Sequence, residues 1–508
     1  MWDRESNRTR ARDVAVIDVG SNSVRLVLYR LEGRAIWTLF NEKVLAGLGR
    51  DLARTGRLAP EGVGQAVSAL KRFRAVLDAA KPSELFTAAT AAVREASDGP
   101  AFVDRVRRET GLSIRVLSGV EEAHYAAMGV AAGAVAPKGV VGDLGGSSLE
   151  LTRLVDGQPR DGVTLPLGPF SLGAPDPLNI PEAQAVCRGK FEALASRFQT
   201  DTFFAVGGAW RSMALVHMAV TDYPLQIVHQ FEAPARDLLD TARFVARQSK
   251  GSLERIPGVS KKRVETMPYA AVVLEQLIET FDVRTVSMSA YGVREGLLFE
   301  SMPPDVRSLD PLIEGCGWLG ARHGISERLG AALSAWLEPL WSGLEPVFEG
   351  GRERTLLSAA CRLCDLGARL HPDHRADLAF DQVLRAPIAG QNHAERAFIA
   401  AAVFARYTSQ SATREGSGIA RILAPDRLRR ARALGAAMRL GCDLSGRSPE
   451  LLQTASLSLG ADGVRLSVHA DKADLVLGEQ TRKRLQTLAD VLEQPYSIDA
   501  KGAAVIAS

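Results

Sequence analysis

Apolar and polar positions along the first 300 residues follow a pattern that predicts strands and helices in turn. We expect two strands from Asp13 onward, a Gly-rich connection at 47–57, and then a helix at 61–80, a strand at 84–88, a helix at 99–110 and a strand at 113–117. A second series begins at Gly139, with strands as far as Val155, a helix at 181–198, a strand at 203–206, a helix at 261–281 and a strand at 285–288. This alternation is typical of a layered α/β fold, and the second series repeats the first in outline.

The paired prolines Pro303 and Pro304 predict a boundary, because they stop helices and favour an extended connection. Beyond them the pattern is mainly helical, with segments expected at 325–344, 354–370, 394–407 and 425–440, a strand pair at 464–468 and 474–477, and a last helix at 479–492. We therefore predict a flexible lead-in at 1–12, a first lobe at 13–137, a second lobe at 138–305 and a mostly α-helical C-terminal domain at 306–508.

Composition changes this picture little. The chain has 508 residues, of which 46% are hydrophobic and 24% charged, as is ordinary for a globular protein of about three domains. A net charge of +3 is too small to indicate a nucleic-acid-binding protein, although local basic clusters could still bind a polyanion. Five irregularly spaced cysteines fit a reducing cytoplasm better than a disulfide framework. Without a secretory signal or a membrane-spanning stretch in the pattern, we expect a cytoplasmic protein with no membrane partner.

Two turns of the same design follow apolar strands that end in an acid. The first contains Asp18, Gly20, Ser21, Asn22 and Ser23, and the second contains Asp143, Gly145, Gly146, Ser147 and Ser148, with Glu150 in the next strand. Carboxylates at strand ends can bind a divalent metal, and glycine lets consecutive backbone N–H groups approach phosphoryl oxygens, to which serine and asparagine add donors. A single turn of this kind is usually only a hairpin, but two copies favour two lobes that face one phosphorylated ligand.

Two further candidates lie between these turns. Arg94 follows the strand predicted at 84–88, and the pair Glu121 and Glu122 follows the strand at 113–117, at edges where α/β folds bind ligands. Taken alone, each is more often a solvated surface group. Beside two phosphate turns, Arg94 could neutralise charge that develops on a phosphoryl group, and one glutamate could orient and deprotonate a water molecule.

Six ordered motifs give residues 13–300 a resemblance to the Ppx/GppA family of exopolyphosphatases and guanosine pentaphosphate phosphohydrolases. They are Asp18-Val-Gly-Ser-Asn-Ser23, Ala89-Thr-Ala-Ala-Val-Arg94-Glu-Ala, Ser118-Gly-Val-Glu-Glu122-Ala, Gly142-Asp-Leu-Gly-Gly-Ser-Ser-Leu-Glu150, Val206-Gly-Gly208 and Tyr291-Gly-Val-Arg294-Glu-Gly296. The resemblance implies an α/β fold of two actin-like, ribonuclease H-like lobes with a cleft between them.

The resemblance also implies roles for particular residues. The second glutamate of the Ser-Gly-x-Glu-Glu motif is catalytic in that family, which corresponds to Glu122, and the acids of the second turn motif are associated with metal, which corresponds to Asp143 and Glu150. It implies further that Arg94 and the two turns bind the terminal phosphoryl group, together with Mg2+ or another divalent cation. The sequence departs from the family pattern at Ser147, which replaces a glycine, and at Leu149, which replaces a threonine; we expect a less permissive turn with one hydroxyl contact fewer.

Three regions carry weaker expectations. Gly207 and Gly208 match the position where kinase relatives hold adenosine, whereas the adjacent Trp210 and Arg211 fit simple packing. The C-terminal domain resembles His-Asp metal phosphohydrolases, but Cys364-Asp365 stands where the His-Asp pair would be, so we expect an inactive domain in which Cys361 and Cys364 pack as small apolar residues. Arg427 and Arg430, with Lys261-Lys262-Arg263 in the second lobe, could belong to a basic path for a long polyanion, although Arg-rich helix faces are more often solvated surface.

We therefore predict an exopolyphosphatase, in which Glu122 is the base and Arg94 the charge stabiliser. The alternatives are hydrolysis of guanosine pentaphosphate in the stringent response, both activities together, a binding protein that senses a phosphorylated alarmone, and a small-molecule kinase. The expected partner is inorganic polyphosphate, with guanosine pentaphosphate as the alternative; a homodimer is expected by resemblance, and a specific nucleic-acid partner is not expected.

Overall fold

The computed structural model describes residues 11–408 and 418–501. They form two compact units, the first ending at Pro311 and the second beginning at Leu312, six residues beyond the boundary predicted after residue 305. Of the lead-in predicted at 1–12, residues 1–10 lie outside the described part, and Arg12 already belongs to the first strand. Within the described ranges, no helix has the length and apolar character needed to span a membrane.

The described strands form three sheets. The strands are β1 (Arg12–Val19), β2 (Val24–Glu32), β3 (Ala35–Val44), β4 (Glu84–Ala89), β5 (Arg115–Val116), β6 (Gly139–Leu144), β7 (Leu149–Val155), β8 (Gln158–Leu165), β9 (Thr202–Val206), β10 (Glu232–Pro234), β11 (Thr285–Ser289), β12 (Ala455–Gly460), β13 (Gly463–His469) and β14 (Tyr496–Lys501). Their orders within the sheets are β3-β2-β1-β4-β5, β10-β11-β9-β6-β7-β8 and β12-β13-β14.

Helices cover the sheets of the first unit and make up most of the second. The α-helices before the division are α1 (Leu52–Thr55), α2 (Pro60–Ala80), α3 (Ala91–Glu95), α4 (Gly99–Thr110), α5 (Gly119–Gly133), α6 (Ile180–Glu192), α7 (Ala195–Phe198), α8 (Gly208–Val220), α9 (Ala235–Ala246), α10 (Lys250–Glu254), α11 (Met267–Thr280), α12 (Val293–Glu300) and α13 (Pro304–Arg307). The remaining α-helices are α14 (Pro311–Arg322), α15 (Glu327–Trp341), α16 (Arg352–Arg362), α17 (Arg375–Arg385), α18 (His393–Tyr407), α19 (Pro425–Ser445), α20 (Pro449–Leu452), α21 (Ala473–Val476) and α22 (Glu479–Leu492). Short 3-10 turns lie at Lys261–Arg263, Ile419–Arg421 and Ala470–Lys472.

The first two sheets repeat one plan, as the sequence predicts. In the first lobe β1, β2 and β3 are antiparallel neighbours, and β4 and β5 continue the sheet in parallel from β1. In the second lobe β6, β7 and β8 are antiparallel, and β9 and β11 continue in parallel from β6. The apolar run at 14–17 is fully buried, as expected for a central strand covered on both faces.

Helix α5 connects the two lobes. It packs against β7 and β8 of the second lobe and also belongs to the apolar core around β1 and β2. Helix α12 packs on α5 at very short range: a Cβ on Gly129 would lie 2.1 Å from the Gly292 carbonyl oxygen, and one on Gly296 would lie 1.8 Å from the Tyr125 carbonyl oxygen. Residues 297–306 join the core of the first lobe, although the sequence places them at the end of the second, because their apolar side chains pack against α5 and β1.

Several predicted elements have different limits in the structure. The helix predicted at 261–281 begins only at Met267, because Pro268 has no N–H group and fits only the first turn of a helix. The strand predicted at 474–477 is instead part of helix α21, and β13 pairs with β12 and β14. The helix predicted at 354–370 ends at Arg362 and turns follow it, whereas the last helix matches its prediction at 479–492.

Candidate functional site

The two glycine turns share one geometry and face each other across the cleft between the lobes. In both the 20–23 turn and the 145–148 turn, the N–H of the first residue donates to the carbonyl oxygen of the last at 2.9 Å. A Cβ on Gly146 would lie 3.0 Å from Cβ of Ser21, so the turns are in contact. None of the turn glycines has a left-handed φ. Glycine serves here for close approach of two backbones rather than for an unusual conformation.

A cavity of about 200 Å3 lies between these turns and is lined from both lobes. Most residues predicted for the site line it: Asp18, Gly20, Ser21, Asn22, Ser23, Glu122, Asp143, Gly145, Gly146, Ser148, Gly207 and Gly208. Arg94, Ser147 and Glu150 do not. Ser147 is buried, and a Cβ on Gly49 would lie 3.4 Å from its hydroxyl oxygen, so its side chain packs against the 47–49 connection and does not line the cavity.

The two neighbouring glutamates at the start of α5 have opposite environments. The Ser118 hydroxyl accepts a hydrogen bond from the Glu121 N–H, and the Glu121 carboxylate accepts one from the Ser118 N–H, which is a capping box. These bonds, together with Arg115, lower the pKa of Glu121 to about 2. Glu122 lines the cavity and is only 6% exposed. The local helix start therefore uses Glu121 for capping and directs Glu122 to the site.

Burial raises the pKa of Glu122 to about 7. The hydrogen bond from Arg94 works in the opposite direction, while repulsion by Asp143 and Asp18 adds to the increase. Arg94 Nη1 donates to Glu122 Oε2 at 2.8 Å and to the Leu117 carbonyl oxygen at 2.9 Å. A carboxylate whose pKa lies near neutral pH can accept a proton from water under working conditions. The direct contact of Arg94 with a phosphoryl group stays a prediction, because Arg94 does not line the cavity and contacts Glu122 instead.

The three acids predicted as metal ligands do not form one shared site. Asp18 pairs with Arg294, whose Nη1 lies 2.9 Å from its Oδ2. Glu150 is buried outside the cavity wall, and its Oε1 has no hydrogen-bond partner among the described residues. Asp143 lines the cavity and forms no ion pair within the described part of the chain. Across the described ranges, no three His, Cys, Asp or Glu side chains are grouped to bind one metal ion.

The carboxylates nevertheless fit a hard divalent cation. Burial raises the pKa of Asp143 to about 6, with Asp18 adding to the effect, and burial together with Glu122 raises the pKa of Glu150 well above its usual value. Carboxylates crowded in this way gain from a nearby positive charge. Mg2+ is usually bound through only one or two carboxylates, and phosphate oxygens and water complete its coordination. Asp143 is the acid best placed to contribute.

Four basic residues line the same cavity and form no ion pair with a described acid: Arg25, Lys43, Arg211 and Arg263, which we call the cationic wall. Strand register places Arg25 directly opposite both Asp18 and Lys43. Burial lowers the pKa of Lys43 to about 7 and that of Arg211 to about 10, and in both cases Arg263 contributes the largest repulsion. Cations that are held close together without an ion pair favour a polyanionic ligand.

Sequence reasoning missed most of the cationic wall. From the sequence, Arg211 was expected only to pack in the protein interior. Arg25 and Lys43 lie in strands and belong to no recognisable motif. The register of the first hairpin was an available signal, because Val19 pairs with Val24 across the turn and Asp18 must then face Arg25. Arg263 belongs to the basic run 261–263 that the sequence offers for a polyanion, whereas Arg211 offered no such signal, since only packing brings its helix to the cavity.

The basic residues predicted in the helical unit have internal partners instead. Arg427 Nε donates to the Val347 carbonyl oxygen at 3.0 Å, and its guanidinium lies 4.3 Å from the centre of the Phe348 ring. Arg430 forms a buried ion pair with Glu353. These contacts favour a structural role and give no support to a substrate-binding one, because a guanidinium already paired with a buried acid is not available to phosphate. Cys361 and Cys364 are fully buried, as predicted.

Comparisons with families of known sequence agree with this geometry. Residues 27–304 match the model described as the Ppx/GppA phosphatase family, and residues 341–497 match the one described as the C-terminal domain of exopolyphosphatase. The chain is similar to Exopolyphosphatase 1 of Mycobacterium leprae (strain TN), with 26% identity over 303 residues that cover 57% of this chain and 89% of that protein. Exopolyphosphatase 1 of Mycobacterium tuberculosis (strain ATCC 25618 / H37Rv) gives 26% identity over 303 residues, covering 57% and 88%.

Solved structures show the same fold. The Aquifex aeolicus member of the Ppx/GppA protein family has a TM-score of 0.51 at 24% identity and covers 57% of this chain and 97% of its own. An exopolyphosphatase from Cytophaga hutchinsonii ATCC 33406 has a TM-score of 0.52 at 20% identity, with coverage of 57% and 97%. The predicted α/β fold of two actin-like lobes followed by a mostly helical region is confirmed.

Proposed function

Since this chain belongs to the Ppx/GppA phosphatase family, we propose that it is an exopolyphosphatase, which releases orthophosphate from the end of inorganic polyphosphate. One observation carries the proposal: a single cavity contains a carboxylate whose pKa burial raises to about 7, Glu122, and four cations without an acidic partner among the described residues. The carboxylate provides a base for water, and the cations provide a binding surface for a polyanion. Two observations support polyphosphate as the substrate: the similarity to proteins named exopolyphosphatase and the cationic wall of the cavity.

In the proposed mechanism, the two turns hold the terminal phosphoryl group. Their backbone N–H groups and serine hydroxyls donate to its oxygens, which positions the phosphorus in line with a water molecule at Glu122. Glu122 accepts the proton from that water as the oxygen attacks, and the phosphoanhydride bond to the rest of the chain breaks. Arg94 keeps the Glu122 carboxylate in place and limits the increase of its pKa.

A divalent cation such as Mg2+ would neutralise charge on the phosphoryl oxygens. We propose Asp143 as the residue that holds it, because Asp143 lines the cavity and has no paired cation in the described structure. Asp18 contacts Arg294, so its role is to position that arginine at the cavity wall.

Phosphate release from polyphosphate of defined length tests the function. The full-length protein with Mg2+ should release orthophosphate and shorten the polymer one unit at a time from its end. Cleavage at internal bonds, seen as medium-length fragments at early times, would contradict an exopolyphosphatase. Tight binding without phosphate release would support the alarmone-sensing alternative instead. The cytoplasmic location and the homodimer expected from the sequence stay predictions, and gel filtration with light scattering checks the dimer.

A further inference from the structure

Arg406, near the end of helix α18 in the helical unit, is a buried arginine whose side chain is only partly hydrogen-bonded. It is 4% exposed, and neither Nε nor Nη2 has a hydrogen-bond partner among the described residues. Oδ1 of Asp365 lies 3.6 Å from Nη2, beyond hydrogen-bond distance, and this oxygen has no hydrogen-bond partner in the described structure either. Two donors and one acceptor therefore stay unsatisfied close together, which is costly inside a protein.

Two further guanidinium groups lie near Arg406. Cζ of Arg375 and Cζ of Arg406 lie 5.3 and 5.1 Å from the centre of the Tyr407 ring. Arg439, on helix α19, is partly buried, and burial followed by repulsion from neighbouring arginines lowers its pKa to about 10. Neither Arg375 nor Arg439 forms an ion pair with an acid in the described ranges. We call Arg375, Arg406 and Arg439 the arginine cluster.

Nearby acids do not balance the charge of the arginine cluster, because each has another partner. Oδ2 of Asp365 lies 2.8 Å from Nε of Arg447, and Oδ2 of Asp443 lies 2.8 Å from Nε of Arg484. The two carboxylates are thus shared with arginines outside the cluster. Guanidinium groups held close together with an excess of positive charge favour an anionic ligand.

The Cys442 thiol, which is 2% exposed, indicates the same excess of positive charge. The hydrogen bond with Cys364 and, after it, the charge of Arg406 lower the pKa of Cys442 to about 7, although burial acts to raise it. A negative charge is therefore stabilised beside Arg406, in the interior of the helical unit.

The unsatisfied groups determine which small ligand fits. A single water molecule would satisfy Arg406 and Asp365 but would leave the charge of the arginine cluster unbalanced. A sulfate ion would bring charge and acceptor oxygens, but it has no proton to donate to the Asp365 carboxylate. Orthophosphate at neutral pH carries negative charge, acceptor oxygens and at least one P–OH group. Of these three, orthophosphate is the one that satisfies both the guanidinium groups and the carboxylate.

We propose that the helical unit binds orthophosphate at the arginine cluster. Arg406 and Arg439 donate hydrogen bonds to its oxygens, Arg375 adds positive charge, and Asp365 accepts a hydrogen bond from its P–OH group. The inference does not rest on the proposed function, because no residue of the arginine cluster lines the cavity between the lobes. Orthophosphate is also the product of the proposed reaction, so the ion is present wherever that reaction takes place.

Equilibrium dialysis of the full-length protein with radiolabelled orthophosphate, in a buffer free of other phosphate, tests the proposal. Arg439→Ala should bind one ion fewer than wild type, or bind that ion at least about tenfold more weakly, as expected when a charged hydrogen bond is lost. Arg429→Ala is the matched control, because Arg429 lies on the same helix and is largely exposed, and it should bind as wild type does. Unchanged binding in a folded Arg439→Ala protein would overturn the proposal. Arg375→Ala carries the same expectation and decides the matter if Arg439→Ala does not fold.

Competition with sulfate tests the role of Asp365. In wild type, sulfate should displace the ion at the arginine cluster poorly, whereas in Asp365→Asn the amide can donate to a sulfate oxygen, and sulfate should compete at least about tenfold better. Sulfate that competes as well as orthophosphate in wild type would overturn the assignment of Asp365.

Polyphosphate is the remaining arm of the test. Arg439→Ala protein that loses affinity for polyphosphate and keeps its full affinity for orthophosphate would assign the arginine cluster to the polymer and overturn the proposal. Wild-type protein that binds orthophosphate at the cluster but releases none from polyphosphate would refute the proposed function and support this inference.

Discussion

Arg94 Nη1 donates a hydrogen bond to Glu122 Oε2 at 2.8 Å, and this contact joins two motifs that lie 28 residues apart in the sequence. The guanidinium of Arg94 therefore contacts a buried carboxyl group, Glu122, whose pKa is raised by burial and lowered by Arg94 itself. Removing Glu122 removes the proposed base, whereas removing Arg94 changes the pKa of that base, so the two variants have different expected kinetics.

Glu122→Gln should abolish turnover and leave polyphosphate binding nearly intact, because the amide keeps the shape of the side chain but cannot accept the proton. We expect kcat to fall by at least about 100-fold, the lower end of what a general base contributes. Glu121→Gln is the matched control and should keep its activity, since Glu121 caps α5 and does not line the cavity. Steady-state kinetics and filter binding check both variants, and a Glu122→Gln protein with most of its activity would show that another group is the base.

Arg94→Met should move the pH dependence of kcat to higher pH. The arginine lowers the pKa of Glu122, so its loss allows burial and the nearby acids to raise that pKa further above about 7. The base is active only when deprotonated, and a higher pKa therefore requires a higher pH for the same rate. The measurement is a pH series of kcat at saturating polyphosphate. If the rate falls equally at every pH, Arg94 acts on the phosphoryl group directly instead.

The pH profile of kcat/KM in the wild type should be bell-shaped with a maximum near pH 7. Its rising limb follows deprotonation of Glu122, whose pKa burial raises to about 7. Its falling limb follows loss of charge from Lys43, whose pKa burial and Arg263 lower to about 7. Lys43→Arg should remove the falling limb, because arginine keeps its charge throughout this range. A falling limb that persists in Lys43→Arg would assign it to a different group.

Asp143→Asn should raise the Mg2+ concentration needed for half-maximal activity by roughly tenfold or more, as expected when a metal contact is weakened. The physical reason is the loss of the carboxylate that lines the cavity without a paired cation among the described residues. Asp156→Asn is the control, because Asp156 is exposed in the hairpin between β7 and β8. Magnesium titrations of phosphate release measure the effect. An unchanged titration in Asp143→Asn would remove Asp143 from the metal site.

Arg430→Met should destabilise the helical unit by about 3 kcal/mol, the lower end for breaking a buried ion pair. Glu353 is only 7% exposed in its side chain, and without Arg430 its charge lacks its cationic partner. Arg429→Ala is the matched control, since Arg429 is largely exposed and its nearest acid, Glu493, lies 3.5 Å away. Chemical denaturation measures stability, and kinetics with long polyphosphate measure binding. Normal stability with a raised KM would instead restore the basic path predicted from the sequence.

Much of the site was predictable because its parts are local. The duplicated turns are contiguous stretches, and their shared 2.9 Å hydrogen bond follows from turn chemistry alone. The capping role of Glu121 also had a local signal, because a serine followed three residues later by a glutamate, as in Ser118 and Glu121, is the pattern of a capping box. This pattern leaves Glu122 as the glutamate available to the site. The motifs did not show which carboxylates are available to a metal ion. Asp18 forms an ion pair with Arg294, which comes from a distant segment of the chain.

Hydrophobic periodicity and turn propensity act over a few residues, so the alternating elements, the repeat of the two lobes and the acid-ending turns could be predicted from the amino-acid order. Four relationships depend on the packing of distant segments: α12 packs on the first lobe, Arg94 contacts Glu122, Arg430 pairs with Glu353, and the cationic wall lines one cavity. Such contacts form between side chains that are far apart in the sequence and come together when apolar faces pack. The spacing of residues along the chain therefore does not predict them.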